Sequence, residues 1–172
     1  MVGLAESHRT AAATMLCALV LFALAQCSAA IKATAASADQ KAFLEKYASE
    51  EGAVTKDSGL IYKVLKDGTG GSPGLATPCS CHYEGRLATN YPSGKTFDSS
   101  YARGSPTTFA PRQVIKAWTE AMQEMKVGAK WELVCPPEIA YGSRAMGADI
   151  PANSVLVFTM EMLSCQGVQA EL

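Results

Sequence analysis

Alternating apolar and polar positions, interrupted by glycine and proline clusters, divide the chain into elements. Residues 60–65 alternate and stop at Asp67-Gly68, as a strand with a following turn does. Residues 79–87 alternate again, with Cys79, Cys81 and Tyr83 on one face and Ser80, His82 and Glu84 on the other. Residues 130–134 and 155–163 read as two further strands, and Leu156, Phe158, Met160 and Met162 share one face of the second. Helical spacing occurs twice. Phe43, Leu44 and Tyr47 form the stripe of a short helix that Ser37 or Asp39 can cap and Gly52 ends. Val114, Ile115, Trp118 and Met122 form the stripe of a helix expected over 112–125, stopped by Gly128. The long 136–153 loop is of a length that is usually functional inside a compact domain. The sum is an α+β domain, an antiparallel sheet with one helix laid across its face.

The N-terminus has a different pattern. His8 and Arg9 precede an apolar run over 11–25, and Ser28 and Ala30 are suitably placed before a cleavage. This reads as a secretory signal peptide over 1–30, since the run is short for the ~30 Å of a bilayer's hydrocarbon. No stable membrane anchor is then expected after cleavage. Leu24-Ala25-Gln26-Cys27 is a poor lipoprotein box because of the glutamine. The expected organisation is a leader at 1–30, a short helical extension at 31–57, the main domain at 58–166 and a tail at 167–172. Gln169-Ala170-Glu171-Leu172 only half matches an endoplasmic-reticulum retrieval signal.

Composition narrows the chemistry. The chain has 172 residues, 48% of them hydrophobic and 18% charged, with a formal net charge of -1, so neither nucleic acid nor an anionic membrane is the expected partner. Cys17 and Cys27 leave with the leader. Cys79, Cys81, Cys135 and Cys165 remain, an even number compatible with a disulfide in an oxidising compartment or with buried free thiols. Cys79-Ser80-Cys81-His82 resembles a metal fragment, but on a strand His82 points away from both cysteines, so no metal site is expected. His82 is the sole histidine after the leader and lies mid-strand, which leaves no Ser-His-acid relay, and Cys135 has no identifiable base.

One acid stands out. Asp98 follows Phe97 within Gly94-Lys95-Thr96-Phe97-Asp98-Ser99-Ser100, in a chain whose Tyr83, Trp118, Tyr141 and Phe158 could wall a pocket. An acid among so many aromatics needs partners or a task. With Tyr83-Glu84-Gly85, Val114-Ile115-Lys116-Ala117-Trp118, Ala140-Tyr141-Gly142, Ile150-Pro151-Ala152-Asn153 and Leu156-Val157-Phe158, this run resembles the FKBP-type peptidyl-prolyl cis-trans isomerases. Within them it is most similar to the secreted macrophage infectivity potentiator (Mip) group. The likeness extends from about Ser58 to Cys165, in the family's order and approximate spacing.

That resemblance implies an FKBP-like twisted, five-stranded antiparallel sheet wrapped on one short α-helix, with a short helix before it. It implies catalytic roles for Tyr83, Phe97, Asp98, Trp118, Tyr141 and Phe158, with Trp118 as the pocket floor. It implies substrate contacts from Phe109, Val114, Ile115 and Ile150, the Ile115 backbone N–H and the Tyr141 hydroxyl each meeting a carbonyl. The implied partners are proline-containing peptides and proteins and macrolide inhibitors of the tacrolimus and rapamycin type. No cofactor or metal is implied, and a monomer is expected because the dimerising helix of bacterial Mip proteins is much reduced. The family's sheet order also implies a Cys79–Cys165 bridge, with Cys81 and Cys135 buried and reduced. Thr107 departs from the family, standing where many members carry a pocket-wall aromatic; Met146 and Asp149 alter the rim. An FKBP fold kept as a chaperone or host-interaction module with little turnover is the rival reading.

Overall fold

The computed structural model describes residues 37–168. The expected leader therefore lies outside the described residues. The chain divides into compact units at 1–39 and 40–172, and the fold below is that of the second. Helix α1 occupies 37–48. Seven strands follow in one sheet: β1 (Ala53–Thr55), β2 (Ile61–Lys66), β3 (Cys79–Leu87), β4 (Thr96–Ser99), β5 (Thr107–Phe109), β6 (Lys130–Cys135) and β7 (Leu156–Cys165). Their order is β1-β2-β6-β7-β3-β4, with β5 also on β3, and every pairing is antiparallel. Three-residue β1 and β5, too short to show a period, bring the count above the five expected. Helix α2 (Lys116–Glu124) lies on the front face.

Alternation along β7 explains the layers. Leu156, Phe158, Met160 and Met162 point to the front, where they join Trp118, Met122, Met125, Leu133 and Cys81 in the main core. Val157, with Val155 just before the strand, points to the reverse and joins Ile61, Val134, Ala88 and Tyr47 in a second core. The stripe read on α1 covers that reverse face: Phe43 and Leu44 pack on it and Tyr47 is 1% exposed. Fully burying such side chains contributes about 1.5–3 kcal/mol each, more than a helix this short could supply by itself. The polar groups buried on this reverse face are matched. The Tyr47 hydroxyl donates to Glu132 Oε1 at 2.5 Å, the Tyr91 hydroxyl donates to the same oxygen at 3.0 Å, and the Val155 N–H donates to Gln40 Oε1 at 2.5 Å. Burial and the neighbouring Glu132 raise the Tyr91 phenol to about 12, so these hydroxyls stay protonated donors at neutral pH.

Cys79 and Cys165 face each other across the β3–β7 pairing and are disulfide-bonded; Cys81 and Cys135 are free and buried. Burial pushes the Cys81 thiol up to about 12 and raises Cys135 further, so neither is a nucleophile at neutral pH.

The second helix starts later than its apolar spacing suggests. Pro111–Gln113 forms a separate 3-10 turn, Val114 and Ile115 are extended (ψ 178 and 153), and α2 begins only at Lys116. The cause is a closed turn: the Gln113 N–H donates to the Ala110 carbonyl at 2.9 Å, and the Ala110 N–H donates to Gln113 Oε1 at 2.7 Å. The first bond of the α-helix then runs from the Thr119 N–H to the Ile115 carbonyl, 2.9 Å. Two residues read as helix stripe thus become a strap beside it. The 136–153 loop closes on itself as well, through the Gly142 N–H to the Pro137 carbonyl and the Asn153 N–H to the Gly142 carbonyl, both 2.8 Å. This fixes Tyr141 at the start of the loop.

Candidate active site

Four strands, the strap, α2 and the long loop converge on a cleft of about 390 Å³ at the front of the sheet. Tyr83 comes from β3, Phe97 and Asp98 from β4, Phe109 from β5 and Phe158 from β7. Gln113, Val114 and Ile115 line the strap side, Trp118 the helix side and Tyr141 the loop side. Trp118 is the floor, with ring centroids of Phe158, Tyr83 and Phe109 at 4.9, 5.0 and 5.4 Å. Phe97 meets Phe158 edge-on at 5.6 Å. Such edge and tilted pairs are preferred by aromatic quadrupoles and hold the walls apart as a rigid frame. The frame needs Gly85 beneath it: a Cβ there would lie 2.5 Å from Phe97 and 2.7 Å from Phe158.

Of the residues named from the sequence, all but Ile150 line this cleft. Ile150 is buried in the main core with Trp118 and Phe158, its backbone bridged to Met146. The acid is fully partnered. Asp98 Oδ2 accepts from the Tyr83 hydroxyl at 2.7 Å, and Oδ1 accepts from Arg103 Nη1. Arg103 Nη2 donates to the Tyr83 oxygen at 2.9 Å and to Thr107 Oγ1 at 3.3 Å. Thr107 therefore anchors the guanidinium. Asp149 at the rim is paired with Lys95 at 2.6 Å, so its charge is not left bare. Arg103 and Gln113 were not among the sequence candidates. Arg103 is an exposed residue of a turn, and only its fold-dependent closeness to Asp98 marks it.

Burial works to raise the Asp98 pKa, but hydrogen bonds from Tyr83 and Arg103, together with the Arg103 charge, outweigh it and hold the carboxyl below its ordinary value. The Tyr83 phenol moves up, first by burial and then by its bond to Asp98. Burial and the Asp98 charge likewise raise Tyr141. Asp98 is thus an anion at neutral pH and both phenols are neutral. A depressed carboxyl contributes stability above its unfolded pKa that is lost as pH falls through the folded one. Arg103→Met removes the cation and its hydrogen bond but leaves burial and the Tyr83 bond, so Asp98 should take up its proton at higher pH than in the parent. Side-chain carboxyl NMR titration checks this; an unmoved titration would mean that Tyr83 alone holds the anion.

The cleft contains unpaired donors but no base or nucleophile positioned for proton transfer. Trp118 Nε1–H is buried without a partner, and the Tyr141 hydroxyl has none among the described residues. No group of three or more metal-ligating side chains occurs among the described residues. Such a site can bind an apolar group and its flanking carbonyls.

The family described as FKBP-type peptidyl-prolyl cis-trans isomerase matches residues 71–163, and the domain described as amino terminal to that isomerase matches 5–64. The chain is 43% identical over 129 residues to the FKBP-type 22 kDa peptidyl-prolyl cis-trans isomerase of Escherichia coli, covering 75% of this chain and 61% of that protein. It is 44% identical over 124 residues to the peptidyl-prolyl cis-trans isomerase Mip of Coxiella burnetii, covering 72% and 52%. The chain thus spans about half to three-fifths of these relatives' length. A crystal structure of a peptidyl-prolyl cis-trans isomerase from Pseudomonas syringae superposes with a TM-score of 0.68 at 34% identity, covering 77% of this chain and 94% of that one. On these matches, the protein belongs to the FKBP-type peptidyl-prolyl cis-trans isomerase family.

Proposed function

We propose that the protein catalyses rotation about Xaa-Pro peptide bonds in proline-containing peptides and proteins and so assists their folding. The observation that carries this is the cleft's content: aromatic walls, unpaired donors and an acid already engaged by Tyr83 and Arg103. Rotation about a prolyl amide needs neither proton transfer nor a covalent intermediate. It faces a resonance barrier of ~18–20 kcal/mol and proceeds uncatalysed over tens to hundreds of seconds. In the twisted state the amide is less conjugated and its carbonyl more ketone-like. Trp118, Phe97, Phe109 and Phe158 would hold the proline ring away from water. The Ile115 N–H and the Tyr141 hydroxyl would take the flanking carbonyls, leaving the Asp98 anion to face the altered amide dipole. A ~10⁴-fold acceleration requires about 5.4 kcal/mol, within reach of a few preorganised contacts that strengthen in the twisted state. No cofactor takes part.

The same cleft is proposed to take tacrolimus- and rapamycin-type macrolides, and the protein to act as a monomer. It is proposed to work in a secretory lumen or the periplasm after loss of its leader. The Cys79–Cys165 bridge supports an oxidising compartment. Among the described residues no helix is long and apolar enough to cross a membrane. N-terminal sequencing of the protein from fractionated cells tests the location.

A protease-coupled assay on a short Xaa-Pro peptide tests the activity. The expected result is acceleration that rapamycin blocks, with Asp98→Ala lowering kcat/KM about tenfold, or ~1.4 kcal/mol. Purified protein that leaves the rate at that of buffer, with Asp98→Ala no different, would overturn the isomerase reading.

A further inference from the structure

One polar group in the cleft, the carboxamide nitrogen of Gln113, has no part in the proposed chemistry. Gln113 lines the cleft beside Val114 and Ile115 and is exposed at its mouth. Its orientation is not free. The residue is held twice to Ala110, its own N–H donating to the Ala110 carbonyl at 2.9 Å and its Oε1 accepting the Ala110 N–H at 2.7 Å. A backbone N–H can only donate, so the oxygen of the carboxamide must face Ala110 and the nitrogen must be the outward group. The carboxamide is planar, so fixing Oε1 also fixes Nε2. Among the described residues Nε2 has no hydrogen-bond partner.

The surrounding charges define what this nitrogen would meet. Asp98, the acid lining the cleft, is engaged by Tyr83 and Arg103, and Asp149 at the rim is engaged by Lys95. The neighbouring strap residues, Val114 and Ile115, are apolar. An extended peptide entering along the strap would therefore meet the two outward N–H donors of the Gln113 carboxamide. A carboxylate or carboxamide side chain would gain a hydrogen bond from that nitrogen, whereas a lysine ammonium, which only donates, cannot accept one.

We propose that Gln113 is a specificity-determining residue that favours substrates with an acidic or amide side chain at one position flanking the proline. The inference rests on the isomerase reading, because it assumes that the cleft takes a prolyl peptide. Since the site is open to water, the preference is a modest one, about threefold to tenfold in kcat/KM.

The test uses peptides Xaa-Pro-Yaa in which Xaa and then Yaa is Ala, Gln, Glu or Lys, assayed with the parent protein, Gln113→Glu and Gln113→Met. The parent should favour Glu and Gln over Lys at one of the two positions. Gln113→Glu, which keeps an oxygen for the Ala110 N–H but replaces the donor with a negative charge, should reverse the Glu-to-Lys ratio there. Gln113→Met should bring it near one. Each ratio is taken within a single variant, so a general change in activity does not enter it, and melting curves confirm that each variant is folded. A Glu-to-Lys ratio identical in the parent and in Gln113→Glu at both positions overturns the proposal. Should the parent turn over no peptide, including the alanine series, the isomerase reading fails by itself. The same ratios of Kd, read from tryptophan fluorescence, then decide the Gln113 assignment separately.

Discussion

Replacing Cys79 and Cys165 together by alanine should destabilise the protein by about 2–5 kcal/mol. The bridge joins residues 86 apart in sequence, and loop-closure entropy for such a span is worth ~4.6 kcal/mol on the chain-entropy account. Its place in the sheet adds to the consequence. Cys79 opens β3, where it is paired with Cys165 on β7 and Phe109 on β5. The bond therefore ties the last strand to the strand from which one cleft wall hangs. Both positions must be changed at once, because Cys81 is the next residue on the same face of β3 and could pair with a lone Cys165. For a domain of this size each kcal/mol moves Tm by about 2–4 °C, so a fall of roughly 4–20 °C should appear in a thermal melt without reductant. A double variant that melts with the parent would show that the sheet's pairing alone supplies the stability assigned to the bridge.

Much of this architecture can be read in the sequence, and the parts that cannot share a physical cause. The long strands show because their two faces differ or are punctuated by turns: β7 carries Leu156, Phe158, Met160 and Met162 on one face, and all are buried there. Helix α1 shows because Phe43, Leu44 and Tyr47 fall on one stripe, although its partner Glu132 is 85 residues away from Tyr47 and no local pattern announces it. Val114 and Ile115 are misread as helix because the spacing 114, 115, 118, 122 satisfies a helical period. Only the side chain of Gln113, reaching back to Ala110, shows that the helix has not yet begun.

The site divides in the same way. Aromatic type and order suffice to name Tyr83, Phe97, Phe109, Trp118, Tyr141 and Phe158, because a large ring in a small domain must be packed or used. Arg103 escapes such reading, since an arginine in a glycine- and serine-containing turn is ordinarily a solvated charge. Its function depends on three partners, Asp98, Tyr83 and Thr107, that meet only when β3, β4 and β5 are assembled. Ile150, placed at the pocket by likeness, is buried in the same core cluster as the cleft residues Trp118 and Phe158.

Trp118 is where fold and function can be separated by experiment. Trp118→Ala should cost about 3–5 kcal/mol, because the indole is 6% exposed and its neighbours on the buried helix face, Ala117 and Ala121, are too small to fill the space. The same change removes the ring against which Tyr83, Phe109 and Phe158 are set, so kcat/KM should fall at least about a hundredfold, or ~2.7 kcal/mol. That variant alone cannot distinguish a ruined cleft from a lost contact. Trp118→Phe can. It keeps an aromatic floor while deleting Nε1, a buried donor without a partner in the free protein, so little hydrogen-bonding stability is forfeited and the loss of volume should cost only about 1–2 kcal/mol. If the unpaired N–H is held for a bound prolyl peptide, Trp118→Phe should still lose about tenfold in kcat/KM while remaining folded. A folded Trp118→Phe with the parent's kcat/KM would show that the indole acts through its shape alone. The donors that matter would then be those at the cleft mouth, on the strap and at Tyr141.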